Sequence, residues 1–261
     1  MTKAEILRNL HQAPPILVLP NAWDVPSARI FERAGFSAIA TTSAGIAFAL
    51  GYPDGERISR AEMLNVVARI ARAVKVPVTA DLEAGYDSPA ETARQAWAAG
   101  AVGLNFEDVR GEALVDLEEQ MAAICAMRTA TPELVINARN DIYLNGIGDE
   151  ATRFERTVER LNAYRAAGAD SLFAPGVRDP STIARLARAV QGPLNILAQP
   201  GSPSVGELEA MGVARVSVGS GPMRATLGLV ARIAQELRDY GSYESFTAGA
   251  IPYAEVNLLL S

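Results

Sequence analysis

The stretch VPVTADLEAGYD, residues 76–87, carries the pattern from which the fold can be predicted. Its apolar first half predicts a strand, and this strand ends on two carboxylates, Asp81 and Glu83. A helix is predicted next, over 88–99, and the following apolar run, 101–108, predicts a second strand. Two strands joined through a helix pair in parallel. The stretch therefore predicts a βαβ unit.

The same alternation extends along the whole chain. Strands are predicted over 15–20, 38–43, 76–83, 101–108, 134–141, 171–176, 193–201 and 215–221. Helices are predicted over 24–34, 59–74, 88–99, 116–129, 150–167, 179–190, 203–211 and 222–239.

Strict alternation in a chain of 261 residues predicts a parallel sheet closed into a (β/α)8 TIM barrel. We expect a single domain over 1–261 with a C-terminal extension from about residue 240, whose apolar end packs on the barrel or on another subunit. An open, doubly wound sheet is the alternative. It is disfavoured because no glycine-rich phosphate turn follows the first strand.

Composition restricts the function. A net charge of −6 argues against a nucleic-acid partner and an anionic membrane surface, and no apolar run approaches the ~20 residues of a membrane span. The single cysteine, Cys125, cannot form an intramolecular disulfide, which suits the reducing cytoplasm, and its helical context predicts a core position. With one histidine, His11, and two lysines, Lys3 and Lys75, a Ser-His-Asp triad or a histidine-rich zinc site is disfavoured.

Charged side chains follow three neighbouring predicted strands. Asp81 and Glu83 end the third strand, Glu107 or Asp108 ends the fourth, and Arg139 ends the fifth. Residues two apart on a strand share a face, and the carboxyl ends of barrel strands form the active-site mouth. Carboxylates that converge there raise one another's pKa or bind a cation, and oxygen ligands suit Mg²⁺ or Mn²⁺. The alternative is that these acids cap helices or pair with arginine.

Two further segments offer polar groups to the same mouth. The second strand leads into Thr42 and Ser43, then Gly45, where the backbone can approach closely, and then Asp54. Tyr143 lies in the loop after the fifth strand and is a candidate for proton transfer, with a purely structural tyrosine as the alternative.

Together these motifs resemble the isocitrate lyase/phosphoenolpyruvate mutase superfamily. In the family's order they are NAWDVPSARIFERAGFSAI (21–39), GYPDGE (51–56), ADLEAGYD (80–87), GLNFEDV (103–109), INARND (136–141) and GVARVSVGSG (212–221). The resemblance implies a barrel whose last helix is exchanged with a neighbouring subunit in a homo-oligomer, either a tetramer or a dimer.

The resemblance also implies a Mg²⁺ site at the barrel mouth. Asp81 would bind the ion directly, and through it the substrate, whereas Glu83 and Glu107 would hold the ion largely through water. Glu83 stands where the family usually has aspartate.

For the substrate, the resemblance implies that Arg139 binds a carboxylate. The groups around Thr42, Ser43 and Ala44 would bind the carboxylate and the developing oxyanion. Asp54 would act at the mouth as a supporting or proton-handling residue.

The loop after the fourth strand differs from that of the best-known relatives. Isocitrate and methylisocitrate lyases carry a long lid with a Lys-Cys-Gly-His type motif there, and the phosphonate enzymes carry a version with lysine and asparagine. Here the segment EDVRGEALVDLEEQ, 107–120, contains no cysteine, histidine or lysine.

We therefore expect a Mg²⁺-dependent lyase or decarboxylase that cleaves a C–C bond of a small 2-oxo or 2-hydroxy (di)carboxylate through a stabilised enolate. Oxaloacetate decarboxylation and cleavage of a substituted malate both fit. The alternatives are a phosphoenolpyruvate or phosphonopyruvate mutase or hydrolase, and a non-catalytic barrel that binds 2-oxoacids.

Overall fold

The computed structural model describes residues 1–12, 14–111 and 113–261. Its strands are β1 (Leu17–Leu19), β2 (Asn21–Ala22), β3 (Ile39–Thr41), β4 (Val78–Asp81), β5 (Gly103–Glu107), β6 (Val109–Arg110), β7 (Ala113–Leu114), β8 (Val135–Arg139), β9 (Ser171–Phe173), β10 (Leu194–Leu197) and β11 (Arg215–Ser217). Its helices are α1 (Lys3–Leu10), α2 (Val25–Arg33), α3 (Ser43–Ala49), α4 (Arg60–Ala73), α5 (Pro89–Ala98), α6 (Leu117–Ala130), α7 (Arg153–Ala166), α8 (Pro180–Ala189), α9 (Val205–Ala210), α10 (Gly221–Tyr240), α11 (Glu244–Thr247) and α12 (Tyr253–Leu260).

The parallel sheet closes into a barrel through its first segment. The strand order is β1-β11-β10-β9-β8-β5-β4-β3-β2, with β1 paired to β11 and β2 paired to β3. Only Pro20 separates β1 from β2, so the two edges of the sheet are halves of one segment. Proline has no N–H to donate to a ladder, and the carbonyl of Pro20 accepts a hydrogen bond from Ala40 (2.9 Å). The predicted (β/α)8 barrel is confirmed.

Every predicted strand and every predicted helix is present; most have shorter ends, whereas α6 runs one residue further than predicted at its C-terminal end and α10 is one residue longer at each end. The structure adds α3 where the sequence indicated only a loop, and Thr42 caps this helix by accepting a hydrogen bond from Gly45. A Cβ on Gly45 would lie 2.4 Å from the Thr42 methyl group, so the turn requires glycine. The structure also adds the antiparallel hairpin β6–β7 between β5 and α6.

Helix α1 fills the amino-terminal end of the barrel. Leu7 is fully buried and packs with Leu17 and Val135, the first residues of β1 and β8, and with Leu19. Gly103 makes room for it, because a Cβ at that position would lie 2.8 Å from the Leu7 side chain. The barrel therefore has a closed floor, and its open end is the carboxyl end of the strands.

Helix α10 completes the alternation but buries little in this chain. Met223 is its one buried residue, while Leu227, Leu229, Val230 and Leu237 are exposed. Such a face is the surface that exchange of this helix with a neighbouring subunit would cover, and the exchange stays a prediction. Among the described residues, no helix has the length and apolar character needed to cross a membrane.

The C-terminal extension contains α11 and α12. Helix α12 packs against α2, and Arg33 forms an ion pair with Glu255 (2.7 Å). Leu258 and Leu260 at its apolar end remain exposed, and packing of this tail on another subunit stays a prediction.

The core position predicted for Cys125 is wrong. Helix α6 buries Gln120, Ile124 and Met127, and Cys125 is exposed. Successive helical residues are rotated by about 100°, so the residue that follows buried Ile124 turns away from the barrel.

Candidate active site

A cavity of about 300 Å³ opens at the carboxyl end of the barrel strands. Six of the residues singled out in the sequence line it: Thr42, Ser43, Ala44, Asp54, Asp81 and Arg139. They come from β4, β8 and the segment that follows β3, which are far apart in sequence. The barrel therefore gathers these polar groups around one opening.

Asp81 ends β4 and is held by three hydrogen bonds. Its Oδ2 accepts from the backbone N–H (3.1 Å) and the hydroxyl (2.9 Å) of Ser43, and its Oδ1 accepts from Nδ2 of Asn105 (3.1 Å). A carboxylate offers about four acceptor positions. Asp81 is thus fixed in orientation and keeps acceptor capacity for a ligand in the cavity.

Glu83 does not share the face of Asp81. The strand predicted over 76–83 ends at Asp81, and Glu83 has a positive φ of 54° in the turn that contains Gly85. The two-residue alternation of a strand does not apply there, and the Glu83 carboxylate accepts a hydrogen bond from the Glu56 backbone N–H. Burial, followed by the charges of Asp54 and Asp81, raises the pKa of Glu83 to about 8.

Glu107 is paired with Arg139. Nη1 of Arg139 lies 2.6 Å from Glu107, while its Nε and Nη2 donate to Asp141 at 2.6 and 2.8 Å. Burial raises the pKa of Glu107, and the Arg139 charge opposes that rise. An arginine has five N–H donors in a rigid fork, so Arg139 is held firmly and retains donors for a ligand.

The two candidates for proton transfer lie in different places. Asp54 lines the cavity, and burial together with the Asp81 charge raises its pKa. Tyr143 packs against the core beside the cavity, where Leu144 provides the wall. Among the charges nearest to Tyr143 are those of Arg185 and Glu155, on outer helices. Asp54 therefore lines the cavity whereas Tyr143 does not, and the proton-handling role of each stays a prediction.

The described residues contain no group of three carboxylate, histidine or cysteine side chains close enough to enclose a metal ion. Of the three predicted ligands, Asp81 lines the cavity, whereas Glu83 and Glu107 are engaged with Glu56 and Arg139. Mg²⁺ commonly keeps several waters and takes one or two carboxylates. The donor set therefore fits a hydrated ion bound directly by Asp81.

The charge around the cavity also fits a cation. The carboxylates of Asp54 and Asp81 help to raise the pKa of Glu83. The acidic groups around the cavity therefore repel one another electrostatically. A divalent ion would relieve that repulsion. The roles of Glu83 and Glu107 as ligands through water stay predictions.

The apolar part of the cavity wall was not identified from the sequence. It contains Leu144, Phe173, Pro175 and Leu197, and Gln199 and Arg224 also line the cavity. Phe173 and Leu197 end β9 and β10, Leu144, Pro175 and Gln199 lie in the loops after β8, β9 and β10, and Arg224 lies in the first turn of α10. Apolar side chains carry no chemical pattern in a single sequence, so only the barrel reveals them as part of the site.

Asn105 was also missed, although a pattern in the sequence indicates it. It lies two residues before Glu107 on β5 and therefore faces the barrel interior. It lines the cavity and donates to Asp81.

Comparison with known proteins agrees with this architecture. The model of the phosphoenolpyruvate phosphomutase family matches residues 7–238. A crystal structure from Burkholderia cenocepacia J2315 is 42% identical, with a TM-score of 0.91, and the alignment covers 98% of this chain and 94% of that one.

Two similar proteins have named activities. Oxaloacetate decarboxylase of Rhodopseudomonas palustris (strain TIE-1) is 30% identical over 87% of this chain and 82% of its own length. A phosphonopyruvate hydrolase, solved with oxalate and Mg²⁺, is 26% identical with a TM-score of 0.87, over 99% of this chain and 95% of that one. The chain belongs to the phosphoenolpyruvate phosphomutase family, in the superfamily that its motifs indicated.

Proposed function

We propose that this protein is a Mg²⁺-dependent carbon–carbon lyase acting on a small 2-oxo or 2-hydroxy (di)carboxylate, with oxaloacetate decarboxylation as the first candidate reaction. The observation that carries the proposal is the pair Asp81 and Arg139 on one cavity. The first is a fixed carboxylate with spare acceptor capacity, and the second is a fixed guanidinium with spare donors. A 2-oxoacid presents the complementary groups.

Asp81 would hold the ion, with Asn105 and Ser43 keeping its carboxylate oriented. When bound, Mg²⁺ supplies a Lewis acid that draws electrons from a neighbouring oxygen. Arg139 would bind the substrate carboxylate through a planar, two-point contact. Its pairing with Asp141 and Glu107 limits its motion, so the substrate carboxylate is placed at a defined point.

The first turn of α3 would face the reacting oxygen. The first N–H groups of a helix have no partner within the helix. Those of Ser43 and Gly45 already donate to Asp81 and Thr42, so the candidate donor to the substrate is the N–H of Ala44, which also lines the cavity. Donors aimed at a developing negative charge lower the barrier, typically by several kcal/mol in total.

Decarboxylation makes the smaller demand on this site. The C–C bond breaks, CO₂ leaves, the electron pair stays on the carbon next to the carbonyl, and a proton from solvent later converts the enolate into the 2-oxoacid. Cleavage of a substituted malate needs, in addition, a base for the substrate hydroxyl. Asp54 is the candidate for that base because it lies on the cavity wall.

Product analysis tests the proposal. Purified protein with Mg²⁺ is given oxaloacetate, a substituted malate or phosphonopyruvate, and pyruvate or the corresponding 2-oxoacid is measured against metal alone. We expect turnover of oxaloacetate well above that background. Asp81→Ala should abolish both turnover and Mn²⁺ binding, whereas the exposed control Asp239→Ala should change neither.

Each contrary outcome has a distinct meaning. Phosphate release from phosphonopyruvate would favour the hydrolase alternative. Binding of oxalate without turnover of any substrate would favour the non-catalytic barrel. Mn²⁺ binding that survives Asp81→Ala would refute the metal assignment.

A further inference from the structure

Arg215 is a fully buried arginine inside the barrel, below the cavity. It lies on β11 and is 1% exposed. Its hydrogen-bond partners are all neutral: Nε donates to the Ser217 hydroxyl (3.1 Å), Nη2 to Oδ1 of Asn105 (3.3 Å), and Nη1 lies 3.5 Å from Nε2 of His11. Among the described residues, no carboxylate forms an ion pair with it. Burying an arginine without a carboxylate partner is costly, so its position calls for an explanation.

Arg215 and Asn137 together determine which way the Asn105 amide points. Oδ1 of Asn105 accepts from Nη2 of Arg215 and from Nδ2 of Asn137 (2.8 Å). Its Nδ2 donates to Asp81 (3.1 Å). If the amide were turned over, its NH₂ would face two donors and its oxygen would face the Asp81 carboxylate. The two donors on Oδ1 therefore keep the NH₂ directed at Asp81.

The floor of the barrel holds Arg215 in turn. Nδ1 of His11 lies 2.7 Å from the Leu7 carbonyl. A carbonyl only accepts, so Nδ1 carries the proton and Nε2 presents a lone pair to Arg215. Helix α1 thereby supplies an acceptor from the end of the barrel opposite the cavity.

We propose that Arg215 is a positioning residue that keeps Asp81 in its cavity-facing orientation through Asn105, and that α1 holds Arg215 in place through His11. The inference rests on the proposed function in one respect, the role of Asp81 as the direct metal ligand. It assigns to the chain's single histidine a supporting role at the barrel floor.

Two roles for Arg215 predict opposite effects on a cation. If Arg215 contributed only its positive charge, its removal would strengthen Mn²⁺ binding by relieving repulsion. If it positions Asp81, its removal weakens Mn²⁺ binding, because groups that orient a metal ligand commonly contribute ~10- to 100-fold to affinity. The sign of the change therefore separates the two.

The test uses Mn²⁺ titrations of Arg215→Met, Asn105→Ala, the double variant and Arg128→Met. Arg128 serves as a control for the loss of an arginine side chain, because its guanidinium bonds the Leu134 and Gly168 carbonyls and forms an ion pair with Asp170 (2.5 Å), all away from Asp81. We expect Arg215→Met to weaken Mn²⁺ binding about tenfold, and Arg215→Lys to do the same, since it keeps the charge without the fork. Arg128→Met should leave Mn²⁺ affinity unchanged.

The double variant tests the route through Asn105. If Arg215 acts through the Asn105 amide, the double variant binds Mn²⁺ no more weakly than whichever single variant has the lower Mn²⁺ affinity. Affinity in Arg215→Met that is unchanged or tighter, or losses that add in the double variant, would overturn the proposal.

Failure of the proposed function remains distinguishable from failure of this inference. If wild-type protein binds no Mn²⁺, the proposed function fails, and the network is then tested by urea unfolding of Arg215→Met, Asn105→Ala and the double variant. We expect the shift of the unfolding midpoint in the double variant to be smaller than the sum of the single shifts. Additive shifts would refute the coupling.

Discussion

Acidification should destabilise the protein through His11. This residue is 2% exposed, and burial, followed by the neighbouring Arg215 charge, lowers its pKa from 6.5 to about 4. In the unfolded chain the imidazole regains its ordinary pKa. The unfolded state therefore binds more protons than the folded state between these two values, and stability falls as the pH drops through this window.

The size of the effect follows from the shift. Each pKa unit corresponds to ~1.4 kcal/mol, so the full difference amounts to about 3 kcal/mol well below the folded-state pKa. When the pH falls from about 8 to about 5.5, the imidazole of the unfolded chain takes up most of a proton and that of the folded chain takes up hardly any. This difference lowers the free energy of unfolding by about 1.4 kcal/mol. This is close to a tenfold change in the folding equilibrium.

Urea unfolding at both pH values measures the effect, with His11→Gln as the control. Glutamine at position 11 does not titrate, whereas all carboxylates remain, so the difference between the two proteins isolates the histidine. We expect the free energy of unfolding of wild type to fall by about 1.4 kcal/mol more than that of His11→Gln. Equal pH dependence in the two proteins would refute the reasoning that His11 is buried neutral against Arg215.

Two substitutions test packing and pairing in the barrel. Gly103→Ala would place a Cβ 2.8 Å from the Leu7 side chain, so we expect the free energy of unfolding in urea to fall by about 1–3 kcal/mol. The decrease should be smaller when Leu7 is also replaced by alanine. An equal decrease in both backgrounds would contradict the contact between Gly103 and Leu7. Arg139→Met would leave Glu107 and Asp141 unpaired, and breaking a buried pair from one side costs about 3–5 kcal/mol. Glu107→Gln should cost far less, and thermal unfolding of Arg139→Met at the wild-type temperature would refute the pairing.

The strand that ends on Asp81 illustrates where prediction from sequence stops. Apolar periodicity located this strand and placed its carboxyl end at the mouth. It could not indicate that the backbone leaves extended geometry before Glu83, because the positive φ of Glu83 arises in a turn with Gly85. A turn at this point thus keeps one of the two carboxylates out of the cavity lining.

Arg139 and Asn105 show the same limit in another form. Both were within motifs of the sequence, and strand alternation indicates that both face inward. That Arg139 is shared between Glu107 and Asp141, and that Asn105 joins Arg215 to Asp81, depends on the register of strands from distant parts of the chain. No local pattern encodes such pairings.

The sequence by itself determined the alternating strands and helices, the parallel barrel and the end of that barrel where polar groups collect. These follow from hydrophobic periodicity and from turn residues, which act over a few neighbouring positions. The tertiary structure decided which carboxylate faces the cavity, which ones are neutralised by arginine, and how α1 at the floor connects to Asp81. Those outcomes depend on distances between residues far apart in the chain, and such distances are set only when the barrel closes.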